Sequence, residues 1–411
     1  MEKAQFDILI FGASSFVGKI LTTYMADHFG VDNKDFTWAI AGRSETKLKE
    51  VKDSLGDKGK GLQVVLADAA DEASLTALCH QTRVVISTVG PYALYGEPLV
   101  KVCAETGTDY CDLTGEVQFI KAMLDKYEGT AKASGARIVN CCGFDSIPSD
   151  MGIYFLQRQA QEKLGRHCNN IKMRVKAMKG GASGGTIASI INISKEASKN
   201  AELRKQLANP YLICPEHHAF STRQHSANKP EFDKDFDAWT APFIMAVINT
   251  RVVHRSNALL DNAYGEDFKY EEAMLTGSGF KGRLSASAIV VGLGAFMLGS
   301  VVKPTRWLLE NYVLPKAGEG PSPDEQLNGY YDIRFIGKTD DGQTIQCKVT
   351  GDRDPGYGST GKILAQAAAS LAMDIKKEDR AGGFWTPASI FDQRFIDRLE
   401  NDAGLAFDVI D

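Results

Sequence analysis

Gly12-Ala13-Ser14-Ser15-Phe16-Val17-Gly18 decides the reading of this chain. The apolar run Phe6–Phe11 precedes it and an apolar-periodic segment follows. The stretch therefore reads as a strand, a tight turn and a helix start, the layout of a first βα unit that binds a dinucleotide. Glycine permits the sharp turn and a close backbone approach to a pyrophosphate. The helix start offers free N–H groups and the positive end of its dipole. The usual fingerprint has three glycines, whereas Ser14 and Ser15 stand in the middle here, giving the variant G-x-x-[GS]-x-x-G. Gly12, Ala13, Ser14, Ser15, Phe16, Val17 and Gly18 are the first cofactor-binding candidates. The plainer alternative is an ordinary turn built of small residues.

Six apolar runs recur through the first third, at Phe6–Phe11, Phe36–Ala41, Leu62–Ala67, Val84–Thr88, Tyr110–Leu113 and Arg137–Asn140. Segments with helical spacing, such as Ser44–Leu55 and Glu116–Ala133, lie between them. Strands alternating with helices imply βαβ units and a parallel sheet, and continuous runs such as Val84-Val85-Ile86 suit a sheet covered on both faces. The second run ends in Gly42-Arg43-Ser44 with no acidic residue for a ribose 2′-hydroxyl. Arg43, with Ser44 and Lys47 close behind, suits a 2′-phosphate instead, so NADP(H) is favoured over NAD(H). A surface arginine beside a helix start is the competing reading. Asp68 closes the third run, and Ser87, Thr88, Val89, Gly90, Pro91 and Tyr92 close the fourth. Ligands of open α/β sheets sit beyond such strand ends. Gly90-Pro91 is equally a good turn.

The 411 residues are enough for two large domains, or one with a sizeable insertion. A net charge of −5 offers no basic excess to neutralise phosphates, which argues against nucleic acid as a partner. Eight scattered cysteines point to a reducing compartment, and no signal peptide precedes the first strand, so a cytoplasmic location is expected.

Taken together, the chain resembles the saccharopine dehydrogenase-like oxidoreductases. Within them it is most similar to the group of the animal saccharopine dehydrogenase-like protein and the mycobacterial trans-acting enoyl reductases. The residues that carry the resemblance span nearly the whole chain. They are Gly12–Gly18, Ala41-Gly42-Arg43, Ser87–Tyr92, Tyr110–Glu116, Cys142–Asp150, Ser183–Thr186, Leu314–Pro321, Asp354–Gly358 and Gly383–Ala388. The resemblance implies an N-terminal Rossmann domain and a second α/β domain, and it leaves the substrate open. Ser15, where the family often has glycine, is the departure in the cofactor loop.

After Pro148 the strict alternation is lost. Strands are expected at Ile171–Met178, Phe268–Leu275, Tyr330–Ile336 and Thr344–Val349, the last two joined by a hairpin turn at Lys338–Gly342. Helices are expected at Thr186–Ser198, Lys362–Met373 and Ala388–Leu399. The fold class is thus α/β: a doubly wound parallel sheet in residues 1–150, then an α+β domain with a mixed or antiparallel sheet in 151–354. Helices in 355–411 return to the first domain. Leu284–Val302 carries no charge over 19 residues. A single span there would strand the later strands across the bilayer, so a buried or dimer-interface helix is the main expectation, with a helix lying in one leaflet as the alternative. A homodimer and peripheral membrane contact through 284–302 are the partner expectations, besides a small-molecule or lipid-like substrate.

Other constellations are weaker. Gly356–Ile363 nearly matches a P-loop, but Ile363 stands where a magnesium ligand is needed. Cys214, His217, His218 and His225 lack zinc spacing, so no metal is expected. Tyr312 and Lys316 have the offset of a short-chain-reductase pair, which Pro315 interrupts. Ser183–Thr186 reads either as an anion-binding helix start or as a plain cap. The catalytic candidates are Tyr92, Asp145 and Ser146. Asp145 suits a general acid if burial raises its pKa, while Asp145 and Ser146 equally suit capping of the helix at Pro148. The leading function is an NADP(H)-dependent reduction of an enoyl or related double bond in a lipid-like substrate. The alternatives are a saccharopine-type dehydrogenase acting on a secondary amine, with Arg223, Arg251 and Arg255 as its available cations, and a membrane-associated scaffold with a vestigial cofactor site.

Overall fold

A computed structural model describes residues 4–34, 36–181, 184–308 and 319–410. All six early strands form: β1 (Phe6–Phe11), β2 (Trp38–Gly42), β3 (Gln63–Leu66), β4 (Thr82–Ser87), β5 (Asp109–Asp112) and β6 (Arg137–Val139). They pair in parallel in the order β6-β5-β4-β1-β2-β3. The order reverses between β1 and β4, and the crevice opens there, beyond the strands' carboxyl ends. Ile8, Ile10, Val84 and Ile86 bury into one core and Leu9, Phe11 and Val85 into another, which is why these strands read as unbroken apolar runs.

The second sheet holds β7 (Asn170–Lys179), β8 (Glu231–Asp233), β9 (Ala238–Pro242), β10 (Lys269–Gly277), β11 (Tyr330–Lys338) and β12 (Thr344–Gly351). Two further strands, β13 (Gly383–Trp385) and β14 (Leu405–Ile410), come late in the chain. β14 closes the second sheet in the order β14-β12-β11-β7-β10-β9-β8, whereas β13 joins the first sheet beside β6. Only β7 and β10 run parallel in the second sheet, so it is mixed. The C-terminal segment thus divides between the two layers. The Thr360–Met373 helix packs on β1, β4 and β5 and on the Phe16–His28 helix, burying Ile363, Leu364, Ala367 and Leu371. Arg137 fixes its far end, donating to the carbonyls of Leu371 and Ile375 while pairing with Asp109 inside the protein.

Two helical expectations change. Ala388–Leu399 is not one helix but two, Pro387–Ile390 and Gln393–Asp402, because Phe391 is extended and Asp392 caps the second by accepting from the Arg394 amide. The apolar segment is not a core helix. It forms one helix, Gly279–Val301, with Phe280 79% and Leu298 73% exposed. Only small residues, Gly282, Ala286 and Ser300, are buried along it. Tyr312, Lys316, Ser183 and the stretch 314–318 lie outside the described residues.

The layers are pinned by Asp150, on the Ile147–Leu164 helix. Its carboxylate accepts from Ser256 Oγ at 2.7 and 2.8 Å and from the Ala388 amide at 2.8 Å. Burial raises its pKa from 3.8 to about 6, against the pull of those donors. The folded state therefore holds a proton that the unfolded chain releases. The associated stability is full below pH ~4 and is lost as pH rises through ~6. In urea unfolding, the wild type should lose stability relative to Asp150→Asn between pH 4 and 8, by up to about 3 kcal/mol for a two-unit shift. Parallel curves for the two proteins would remove this assignment.

Candidate functional site

The crevice is built from the loop after β1. Gly12 has φ +89°, and a Cβ there would lie 2.6 Å from Val89 Cγ2 and 2.8 Å from Thr88 Oγ1. A Cβ on Gly18 would meet the Gly12 carbonyl at 2.4 Å. The two glycines are therefore obligatory: they let the loop close on the end of β4. Ser15 has φ −69°, so a side chain costs nothing there. Its hydroxyl accepts from the Gly18 amide at 2.9 Å and bonds Thr88 Oγ1 at 3.0 Å. Thr88 in turn donates to the Gly12 carbonyl at 2.9 Å. The serine caps the Phe16–His28 helix, and the amides of Phe16 and Val17 at its first turn have no partner among the described residues, as at other anion-binding helix starts. Phe16 packs edge-on to Tyr357, which seats the helix start against the C-terminal segment.

Arg43 is exposed at the end of β2 and has no ion-pair partner among the described residues. Ser44 caps the following Glu45–Ser54 helix, its hydroxyl accepting from the Lys47 amide at 3.4 Å. Asp68 turns its carboxylate onto the Ala70 amide at 3.0 Å, an Asx turn beyond β3. Thr88, Val89, Gly90 and Pro91 follow β4 beside the glycine loop, and the Gly90–Pro91 bond is cis.

Tyr92 and Ser146 do not offer their hydroxyls to the crevice. Tyr92 is buried and donates to the Ser87 carbonyl at 2.8 Å, and desolvation holds its pKa well above 10. Ser146 is buried and donates to Asn249 Oδ1 at 3.0 Å. Neither it nor Asp145 caps the helix at Pro148 with a side chain. Asp145 differs. Part of the residue remains open, yet the protein packed around its carboxyl raises its pKa from 3.8 to about 7, with the nearby Asp112 charge adding to the effect. A Cβ on Gly143 would lie 2.9 Å from Asp145 Oδ2, and one on Gly115 3.8 Å from Oδ1, so both glycines keep space beside this carboxyl.

Three groups that support the site were not anticipated. Asp112, fully buried, accepts from Thr114 N, Cys141 N, Tyr110 OH and Asn140 Nδ2, and burial raises its pKa to about 6. Glu116 accepts from the amides of Tyr92 at 2.9 Å and Ala93 at 3.0 Å. Asn249 links Ser146 to Ser149 and to Glu272, whose pKa burial raises to about 7. The run Tyr110–Glu116 marked the first two in sequence, but nothing marked Asn249 or Glu272.

A glycine loop closed on β4, and a helix start and an exposed Arg43 that have no partner for their first amides and guanidinium among the described residues, fit NADP(H). Residues 8–139 match the saccharopine dehydrogenase NADP binding domain. The protein is an NAD(P)-dependent oxidoreductase, and its cofactor is NADP(H). The chain is 39% identical to a putative trans-acting enoyl reductase of Mycobacterium tuberculosis (strain ATCC 25618 / H37Rv), covering 96% of this chain and 95% of that one. It is 34% identical to the trans-acting enoyl reductase of Mycobacterium leprae (strain TN), covering 97% and 96%. It belongs to the saccharopine dehydrogenase-like family, in the group of these enoyl reductases. Its fold is similar to that of apo saccharopine dehydrogenase (L-Glu forming) from Saccharomyces cerevisiae, with a TM-score of 0.51, 13% identity and coverage of 99% and 100%.

Arg43→Ala should weaken NADPH binding about tenfold, the worth of one ~1.4 kcal/mol contact, and leave NADH unchanged. Fluorescence titration with both cofactors checks this. An equal loss for both would take Arg43 away from the 2′-phosphate.

Proposed function

We propose that the chain reduces a carbon–carbon double bond conjugated to a carbonyl in a lipid-like acceptor, with Asp145 as the proton donor. The observation that carries this reading is the composition around Asp145. Leu113, Thr360 and Met245 approach its two flanking glycines, and Asp112 is close enough to raise its pKa. Acids and apolar groups suit a neutral, apolar acceptor.

The secondary-amine alternative needs cations for several carboxylates. Arg251 donates to the Leu207 carbonyl, and Arg255 to the carbonyls of Ile213 and Phe384 and to Glu128. Both guanidiniums are thus engaged in holding the fold, and Arg223 stands exposed on a loop. The intact glycine loop speaks against a vestigial scaffold.

When bound, NADPH supplies the hydride that reaches the β-carbon of the acceptor. The chain's part is to hold the turn Val89–Tyr92 and to keep a proton on Asp145 at neutral pH. As the enolate forms, Asp145 gives that proton to the α-carbon and regains one from solvent on its open side. Tyr92 is a wall of the crevice, and Ser146 positions the Asp145 loop through Asn249. The exposed Gly279–Val301 helix suits peripheral contact with the lipid phase from which such an acceptor is drawn.

A general acid must be protonated, so kcat should fall as pH rises through about 7. Asp145→Asn should lower kcat by roughly 10²–10⁴ and remove that limb. NADPH oxidation with a long-chain enoyl thioester measures both. A wild-type rate and profile in Asp145→Asn would overturn the assignment, and turnover of a carboxylated imine in place of the enoyl chain would favour the amine reading.

A further inference from the structure

One helix joins the exposed apolar helix to the cofactor crevice. From 273 to 309 the chain has no Asp or Glu, while Lys281, Arg283, Lys303 and Arg306 bracket the uncharged stretch. Phe280, Leu284, Val291 and Leu298 are exposed on the helix, and Trp307 just beyond it. An apolar cylinder with cationic ends needs a cover of opposite charge. A second copy is a poor one. A two-fold axis across the helices sets Lys281 and Arg283 of one copy against Lys303 of the other, and an axis along them sets each of these cations against itself. The anionic headgroups of a phospholipid surface complement both ends and the apolar length between them.

The Gly184–Lys199 helix lies against this surface helix, with Ser194 Oγ 3.6 Å from Met297 Sδ. Five residues earlier, Ser189 Oγ donates to Glu116 Oε1 at 2.9 Å. Glu116 is 1% exposed, and the same Oε1 accepts from the Tyr92 amide while Oε2 accepts from Ala93. One buried carboxylate thus holds the start of the Tyr92–Tyr95 helix, which continues directly from Val89-Gly90-Pro91 in the crevice, and also holds the helix that touches the lipid face.

We propose that the Gly184–Lys199 helix couples the two sites. Seating of the Gly279–Val301 helix in an anionic phospholipid surface and binding of NADPH favour the same Ser189–Glu116 arrangement, so each strengthens the other. The coupling rests on the lipid-contact reading given above. Ser189 and Glu116 are positioning residues in it. Linkage requires the two effects to be equal: vesicles tighten NADPH binding by the factor by which NADPH tightens vesicle binding.

The test uses the full chain, NADPH fluorescence and vesicle co-sedimentation, with vesicles of phosphatidylcholine containing phosphatidylserine. The expected result is a common factor of about fivefold or more in both directions. Ser189→Ala should still bind each partner while the factor falls to one. Leu298→Asp should lose vesicle binding and keep its NADPH affinity in vesicle-free buffer. A wild type that binds both partners independently overturns the coupling, as does a Ser189→Ala variant that keeps the full factor. Normal NADPH binding without any co-sedimentation overturns the lipid face and the coupling together while leaving the reductase reading in place. A dimer that Leu298→Asp converts to monomer assigns the helix to a second copy and overturns the proposal as well.

Discussion

The buried carboxylate of Asp112 is the constraint on which the crevice depends. Removing a carboxylate from water is costly unless donors replace the lost hydration. Here the donors are two backbone amides, a phenol and a side-chain amide, and none is a cation. Thr114 follows β5 and Cys141 follows β6, so a single side chain ties the two strand ends together. Cys141 sits at φ +62°, a conformation that non-glycine residues seldom adopt, and its amide donates to Asp112 there. The loops that leave this knot carry Glu116 in one direction and Asp145 in the other.

The Asp145 loop has further anchors from distant segments. The Phe144 amide donates to Thr360 Oγ1 at 3.0 Å, and Ser146 is held by Asn249. Thr360 begins the helix that covers β1, β4 and β5, so the C-terminal segment both closes the first sheet and fixes the proposed proton donor. In the P-loop-like stretch before it the turn amides are engaged by the chain itself. Asp354 already fills that turn, accepting from the amides of Tyr357 and Gly358.

What was legible in sequence follows from these contacts. Gly12, Gly18 and most of the early strands were readable because a sheet buried on both faces writes itself as unbroken apolar runs; the edge strand β3, largely exposed, was readable only from its place in the strand–helix alternation. β8 and β13 were not, since they are as short as β6 but lie outside the strand–helix alternation that marked it, and β13 pairs with β6 only because the chain returns there. Asp145 stood out within Cys142–Asp150, but Tyr92 and Ser146 stood out equally. Only the direction of their hydroxyls, toward Ser87 and Asn249, separates them from it. Asn249 and Glu272 gave no signal, because their network with Ser146 and Tyr270 exists only once two sheets meet. In Leu284–Val302 the composition was plain, whereas its exposure depended on what the rest of the chain left uncovered.

A carboxyl proposed to hold a proton near pH 7 faces two opposed demands. It has to avoid cations, which would hold it ionised, and it has to keep a route to solvent, which lowers the cost of ionisation. Uncharged hydrogen bonds reconcile them at Asp145, because its loop is fixed by Asp112, Thr360 and Asn249 rather than by salt bridges. The same logic separates the ends of the crevice. Positive charge stands at Arg43, beyond β2, and three strands away the carboxyls stand without an ion-pair partner among the described residues. A substrate bearing several carboxylates would meet the wrong sign at that end, whereas an enoyl chain brings no charge and needs only a proton.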